Sequence, residues 1–323
     1  MIDRRDLLLG AVAAATLPVW GQSGPFPNKP IRIIVATVAG SGPDIAVRRM
    51  GTHLSDILKQ PVVVENRPGG NGIIAANEVA KAPKDGYTLL NANIGNALND
   101  ILRPQAGPKL HDDLAPVTDL TYGPLILVVN ANVPVRTAKE FVDYAMANPG
   151  ALNYGSGGPG SLIQLTGERL NLAMGIQMKE VPYKSLGADI ADLIAGHVQV
   201  GFTVWTIAEQ HIKSGKLRAL AVASDRRMNV GTEIPTFAEA GLTNITATGW
   251  NGIFAPAGTP PDVIQALARA ISAAVKRPEY QDFFLKTGSW VGGQTPEQFS
   301  SFIRAEQDRY RDVVTRANIK ITE

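Results

Sequence analysis

Two hydrophobic periods alternate along the chain. Short β-branched apolar runs at 31–36, 61–65, 87–90, 125–130, 152–154, 178–183, 198–202, 217–223 and 252–255 read as strands. Between them, apolar residues recur every three or four positions. Over 44–58, Ala46, Met50, Leu54 and Ile57 fall on one helical face. This alternation predicts an α/β protein with two mainly parallel sheets flanked by helices. Near the C-terminus, Thr295-Pro296-Glu297-Gln298 combines an N-cap, a proline at the first helical position and a capping-box glutamine. The stripe Phe299, Phe302, Ile303, Tyr310, Val313, Val314 and Ala317 follows it, and Thr259-Pro260-Pro261-Asp262 starts the preceding helix in the same way.

One local pattern occurs twice. An apolar strand runs into a glycine-rich turn that opens a helix, first over Ala36-Thr37-Val38-Ala39-Gly40-Ser41-Gly42-Pro43-Asp44. It recurs over Tyr154-Gly155-Ser156-Gly157-Gly158-Pro159-Gly160-Ser161. Such a turn aims backbone N–H groups and the positive end of a helix dipole at one point, so it binds an anion without a charged side chain. Two of them, one per lobe, would pinch one carboxylate. A glycine after a strand is by itself most often a turn residue tolerating positive φ; the repeat in both halves favours function. A third such turn, residues 66–72, is read as structural. Chain crossings at Tyr122-Gly123-Pro124 and at 248–252 place residues 22–122 and 248–323 in one lobe and 123–247 in the other. The ligand cleft is expected between them.

The N-terminus changes this picture only at its edge. Arg4-Arg5 precede an apolar stretch, 7–17, too short to span a bilayer, which reads as a cleaved export signal over residues 1–21 resembling the twin-arginine type. A periplasmic protein is therefore expected. The net charge is +2, and Asp3, Arg4, Arg5 and Asp6 cancel within the leader, so no nucleic acid or acidic membrane surface is indicated as partner. The absence of cysteine removes disulfides, thiolate metal sites and cysteine nucleophiles together.

Catalytic motifs are missing. Ile45 stands where a dinucleotide fingerprint needs glycine, and Tyr154 and Pro159 break any G-x-S-x-G elbow around Ser156 and Ser161. His53, His111, His197 and His211 have no metal-ligand spacing. No catalytic residue, metal or cofactor is expected, although a triad assembled from distant positions stays open at this point.

Seven segments, in order from about residue 25 onwards, together resemble the Bug-type extracytoplasmic solute receptors of tripartite tricarboxylate transporters. They are Asn28-Lys29-Pro30-Ile31-Arg32, the run 60–69 containing Glu65-Asn66-Arg67-Pro68-Gly69, and the run 79–90 containing Pro83-Lys84-Asp85-Gly86-Tyr87. Val181-Pro182-Tyr183-Lys184 follows, then the run 212–222 containing Ser214-Gly215-Lys216-Leu217-Arg218. Ala255-Pro256-Ala257-Gly258-Thr259-Pro260 and Gly292-Gly293 before Thr295-Pro296-Glu297 complete the set.

The resemblance implies a monomeric, bilobal periplasmic-binding-protein fold of the second type that closes on a small carboxylate and hands it to membrane permease subunits. Presentation to a membrane sensor, or an enzyme acting on a carboxylic acid, are the competing uses of the same scaffold. Carried over by position, the ligand contacts are Ala39, Gly40, Ser41 and Asp44 in the first loop and Ser156, Gly158, Gly160, Ser161 and Gln164 in the second. Asn93, Asn96, Tyr183 and Thr203 follow strands and are expected to face the cleft, and Lys184 to face either the cleft or the solvent; Asp44 is expected to orient the loop or a water. The first loop lacks the aromatic residue usual in the family, Thr203 replaces a common aspartate, and Trp205 follows it. These departures point to a flat or apolar acid, including an aromatic one.

Overall fold

The computed structural model describes residues 26–183, 186–231, 233–243 and 245–319. The expected leader, residues 1–21, and Lys184 lie outside them. Along the chain, strands β1 (Ile31–Val35), β2 (Val62–Asn66), β3 (Thr88–Asn93) and β4 (Leu114–Pro124) enter one sheet. Strands β5 (Ile126–Asn130), β6 (Asn153–Ser156), β7 (Lys179–Pro182), β8 (Val200–Thr203) and β9 (Leu217–Val222) form a second. Strands β10 (Thr248–Pro256) and β11 (Trp290–Val291) then return to the first. The orders are β11-β4-β10-β3-β1-β2 and β7-β6-β8-β5-β9.

The helices are α1 (Gly42–Leu58), α2 (Ile73–Ala80) and α3 (Ile94–Leu102) in the first lobe, then α4 (Ala138–Ala147), α5 (Leu162–Met174), α6 (Leu186–Ala195) and α7 (Trp205–Lys213) in the second. Helices α8 (Pro261–Val275), α9 (Pro278–Lys286) and α10 (Pro296–Arg316) complete the first lobe.

The two-sheet α/β architecture with flanking helices is as expected, but the sheets are mixed rather than mainly parallel, because the strands that cross between the lobes pair antiparallel. Each sheet contains a parallel trio, β2-β1-β3 and β7-β6-β8, while β10, β4 and β11 in the first and β5 and β9 in the second pair antiparallel. The antiparallel strands carry the chain between lobes. The ends of the parallel trios continue into the glycine turns, as open α/β sheets place their ligand crevices at strand C-termini.

Strand β4 has no counterpart among the expected strands. Pro116, Asp119 and Gly123 interrupt its apolar pattern. Distant partners hold its polar groups instead: Oδ1 of fully buried Asp119 accepts hydrogen bonds from the Gly293 and Gln294 N–H groups at 3.0 and 2.7 Å, and Thr118 donates to the Gln294 carbonyl at 2.7 Å. Burial of hydrogen-bonded polar groups is tolerated, and a period-two reading cannot see partners so distant in sequence. Helix α10 forms with the expected capping box, Thr295 with Gln298. Helix α8 starts one residue later than expected: Pro260 is its N-cap, and the Thr259 hydroxyl donates to Pro256 O at 2.8 Å instead.

One apolar core lies between the first sheet and α1 and α8, with Ile31, Ile33, Met50, Leu267 and Ile271 fully buried. A second lies within the second lobe around Leu127, Phe141, Tyr154 and Phe237. A third, from Ile34 and Phe254 to Val128 and Trp205, runs without interruption through both sheets.

Candidate functional site

In the first lobe the turn between β1 and α1 is built around Asp44. Its carboxylate accepts from Gly40 N at 2.9 Å, from Arg48 Nε at 3.0 Å and from Asn66 Nδ2 at 2.8 Å, while Ser41 and Thr37 join hydroxyls at 2.7 Å. Burial opposes ionisation of Asp44, but these donors outweigh it and hold the carboxyl below its ordinary range. The N–H of Gly40 is therefore already engaged. Helix α1 keeps an N-cap, Ser41, with no side-chain bond to its first turn, so the N–H groups of Gly42 and Asp44 have no partner among the described residues.

The second-lobe turn is built around Glu180 of β7. Ser156 Oγ donates to Glu180 Oε1, and Gln164 Nε2 donates to Glu180 Oε2 at 2.8 Å. Those two side chains in turn accept from the backbone, Ser156 Oγ from Gly158 N at 2.9 Å and Gln164 Oε1 from Gly160 N at 2.7 Å. Ser161 caps α5 by accepting from Gln164 N at 3.2 Å. The glycine N–H groups of both turns, expected to face a ligand, are held by side chains at Gly40, Gly158 and Gly160. Polar side chains four residues on, for Gly40 and Gly160, or two residues back, for Gly158, satisfy donors that would otherwise be orphaned.

A cavity of about 510 Å³ lies between the lobes. Gly40, Gly42, Pro43 and Ile45 line it from the first loop and α1, Asn93 and Ile94 from the start of α3, and Val204 and Thr206 from the start of α7. The crossing strands contribute Thr121, Gly123, Gly249, Trp250 and Asn251, and α9 with its following turn contributes Phe283, Phe284, Thr287 and Ser289. Every described lining residue is uncharged.

Of the residues singled out from sequence, Gly40 and Asn93 line this cavity. Asn93 caps α3, its Oδ1 accepting from Gly95 N at 2.7 Å. Its Nδ2 donor has no partner among the described residues. Ala39 is exposed beside Gly40, Ser41 and buried Asp44 brace the loop, and buried Thr203 ends β8 immediately before Val204. Ser156, Gly158, Gly160, Ser161 and Gln164 cluster with one another on Glu180 rather than along the cavity wall. The side chain of Leu162, next in the chain, is 3.9 Å from where a Cβ on cavity-lining Gly249 would stand.

Tyr183 donates its hydroxyl to Asp192 at 2.6 Å and lays its ring over Gly155. Burial first, then the Asp192 carboxylate, pushes the phenol up to about 12. Trp205 is buried in the shared core, so the apolar wall inferred from it is supplied instead by Phe283 and Phe284. The turn at 66–72 is tied to α3: Asn71 Nδ2 donates to Gly95 O, Asn96 Nδ2 to Gly72 O and Asn99 Nδ2 to Asn71 O.

Sequence reasoning missed three parts of this arrangement. Glu180 was hidden because its partners lie 16 and 24 residues away. The start of α7 carries no glycine signal; its only trace is an apolar strand running straight into a helix. Phe283 and Phe284 carry no local signal that sets them apart from the apolar residues of an ordinary helix.

A turn at each lobe, helix starts α1, α3 and α7 around one uncharged cavity, and two crossing strands as floor describe a receptor that closes on a solute. The profile of the tripartite tricarboxylate transporter family receptor matches residues 46–319. The chain belongs to that family. It is 33% identical over 313 residues to the protein BugT of Bordetella pertussis, covering 96% of this chain and 95% of that one. A solved periplasmic transporter shares 37% identity at a TM-score of 0.77, covering 91% of this chain and 99% of its own. A Rhodopseudomonas palustris protein, Rpa4515, solved with adipate, shares 28% identity at a TM-score of 0.78 with the same coverage. As a receptor of this family, the chain binds a solute rather than transforming one. No helix among the described residues is long and apolar enough to cross a membrane.

Proposed function

We propose that this receptor captures a small organic monocarboxylate with an apolar or aromatic body and delivers it, from the periplasm, to the permease subunits of a tripartite tricarboxylate-type transporter. The lining of the interlobe cavity carries this reading. The uncapped first turn of α1 in one lobe and that of α7, whose N-cap Val204 has no capping side chain, in the other offer backbone donors and dipoles to a single anion. Asn93 Nδ2 and the hydroxyls of Thr121 and Thr206 add side-chain donors.

Beyond this polar end the wall is Phe283, Phe284, Ile45 and Ile94. No lining cation among the described residues offers to neutralise a second carboxylate, and burying a second charge without a partner is costly. Rpa4515 holds adipate, a dicarboxylate, so preference for monocarboxylates would set this receptor apart.

The lobes are taken as 22–122 with 248–323 and 123–247, turning about the β4–β10 crossing, and the chain as a monomer exported by a twin-arginine leader. Calorimetry of the mature chain against benzoate-type acids, short aliphatic monocarboxylates, succinate and adipate tests the ligand class. The aromatic acid is expected to bind most tightly and to lose most affinity in Phe283→Ala. Tighter binding of succinate or adipate would refute it.

A further inference from the structure

The crossing ribbon, β4 paired with β10, has two faces, and each looks into a cavity. Gly249 pairs with Gly123 and Asn251 with Thr121, and these four residues line the solute cleft. The alternate residues Tyr122 and Thr248 line a second cavity of about 400 Å³, as the period of two along a strand requires. This second cavity is also bounded by both lobes. Arg226, just past β9, and Thr246 stand on one side, and Trp290 of β11 and Arg309 of α10 on the other.

Among the described residues, two side-chain contacts span it. The guanidinium of Arg226 lies 4.3 Å over the centre of the Trp290 indole, and Arg309 donates to the Thr246 hydroxyl at 2.9 Å. Among the described residues no carboxylate pairs with Arg226, so the indole is its main partner. The turn from α9 to β11 connects the two cavities. Its Thr287 and Ser289 line the cleft, Trp290 faces the second cavity, and Gly288 abuts Trp205 of the other lobe so closely that a Cβ there would meet the Trp205 Cβ at 2.9 Å.

We infer that the Arg226–Trp290 and Arg309–Thr246 contacts form a counter-latch, opposing closure of the cleft and so setting solute affinity without touching the solute. The reason is leverage. A rotation about the ribbon that narrows the cavity on one face widens the cavity on the other, so contacts spanning the second cavity lengthen as the cleft closes. Their free energy adds to the work of closure, and apparent affinity falls with the fraction of molecules in the competent form. The effect on affinity rests on the carboxylate reading of the cleft; the effect on lobe separation does not.

The chain has no cysteine, so Val63→Cys on β2 and Met146→Cys on α4, both exposed, place one spin label on each lobe. Distance distributions are then measured by pulsed electron resonance in the solute-free receptor. Arg226→Ala and Thr246→Val are each expected to move the distribution toward its short, closed population. Arg226→Lys, which keeps a cation over the indole, is expected to retain the parental distribution. In calorimetry with the tightest-binding acid, Arg226→Ala is expected to tighten binding about two- to five-fold, the worth of an exposed contact of this kind.

Unchanged solute-free distributions in both Arg226→Ala and Thr246→Val, or a shift toward longer distances, would overturn the counter-latch whatever any acid does. A shift toward closure with no acid binding would support the counter-latch and overturn the carboxylate reading.

Discussion

In the first lobe the glycine N–H of the turn is held by a carboxylate four residues on, Gly40 by Asp44; in the second it is held by an amide four residues on, Gly160 by Gln164. The backbone problem is the same, an orphan donor before a helix, and the spacing of its solution is the same. The charges differ. Asp44 brings its own negative charge into the first turn of α1, where the dipole, Arg48 and Asn66 compensate it within one lobe. Gln164 is neutral and depends on Glu180, whose second oxygen also anchors Ser156. The first turn thus carries its own carboxylate, steadied by Arg48 of the same helix and Asn66 at the end of β2, whereas the second borrows its charge from Glu180 on β7. The first also lines the cleft, through Gly40 and Gly42, whereas the second approaches it through Leu162.

Removing Glu180 tests this contrast most severely. Glu180→Ala is expected to lose about 2 to 3 kcal/mol of stability, since two side chains lose a charged acceptor at once. Urea denaturation of the purified variant measures it, and a loss below that of Gln164→Leu would show that the second turn does not hang from β7. Gln164→Leu strands the Gly160 N–H and the Glu180 oxygen, for an expected loss of about 1 to 2 kcal/mol.

Asp44→Asn keeps an acceptor for Gly40 but gives up the ion pair with half-exposed Arg48, for about 1 kcal/mol. Its pH signature is the sharper readout. The folded carboxyl of Asp44 lies below its unfolded value, so its stabilisation is complete above the ordinary aspartate range and is lost as pH falls through the lowered folded value. Unfolding curves across the acid range should show that loss in the parent and a flatter acid limb in Asp44→Asn.

The smallest effect separates structure from function at the glycines. Gly40 and Gly158 have φ near +79° and +85°, and a Cβ would meet open space at the first and a distant Pro182 at the second. Gly40→Ala and Gly158→Ala should cost similar stability, about 1 kcal/mol from left-handed strain. Only Gly40→Ala should also weaken acid binding in calorimetry, because only Gly40 lines the cleft. Equal effects on affinity would erase the distinction between the two turns.

Much of this molecule was written in local pattern. The two hydrophobic periods announced the α/β class, the capping box placed the start of α10, and the glycine turns pointed to both lobes' strand ends, because period, cap and turn are each set within a few residues. Strand β4 was lost for the complementary reason: Asp119 and Thr118 break its apolar run, and their partners, Gly293 and Gln294, are 174 to 176 residues away.

The same division holds at the site. The sequence by itself determined that glycine turns would precede helices α1 and α5, that cysteine chemistry was excluded, and that the chain resembled a solute-receptor family. Only the tertiary structure decided which donors remain available, since that depends on Asp44, Gln164 and Glu180 folding back onto the turns. It alone brought Phe283 and Phe284 of a late helix to the same cavity as Gly42 and Thr206, and gave the crossing ribbon a cavity on each face. A hydrogen bond has one partner and a cavity wall has many owners, and neither is specified by neighbours along the chain; both exist only once distant strands have paired.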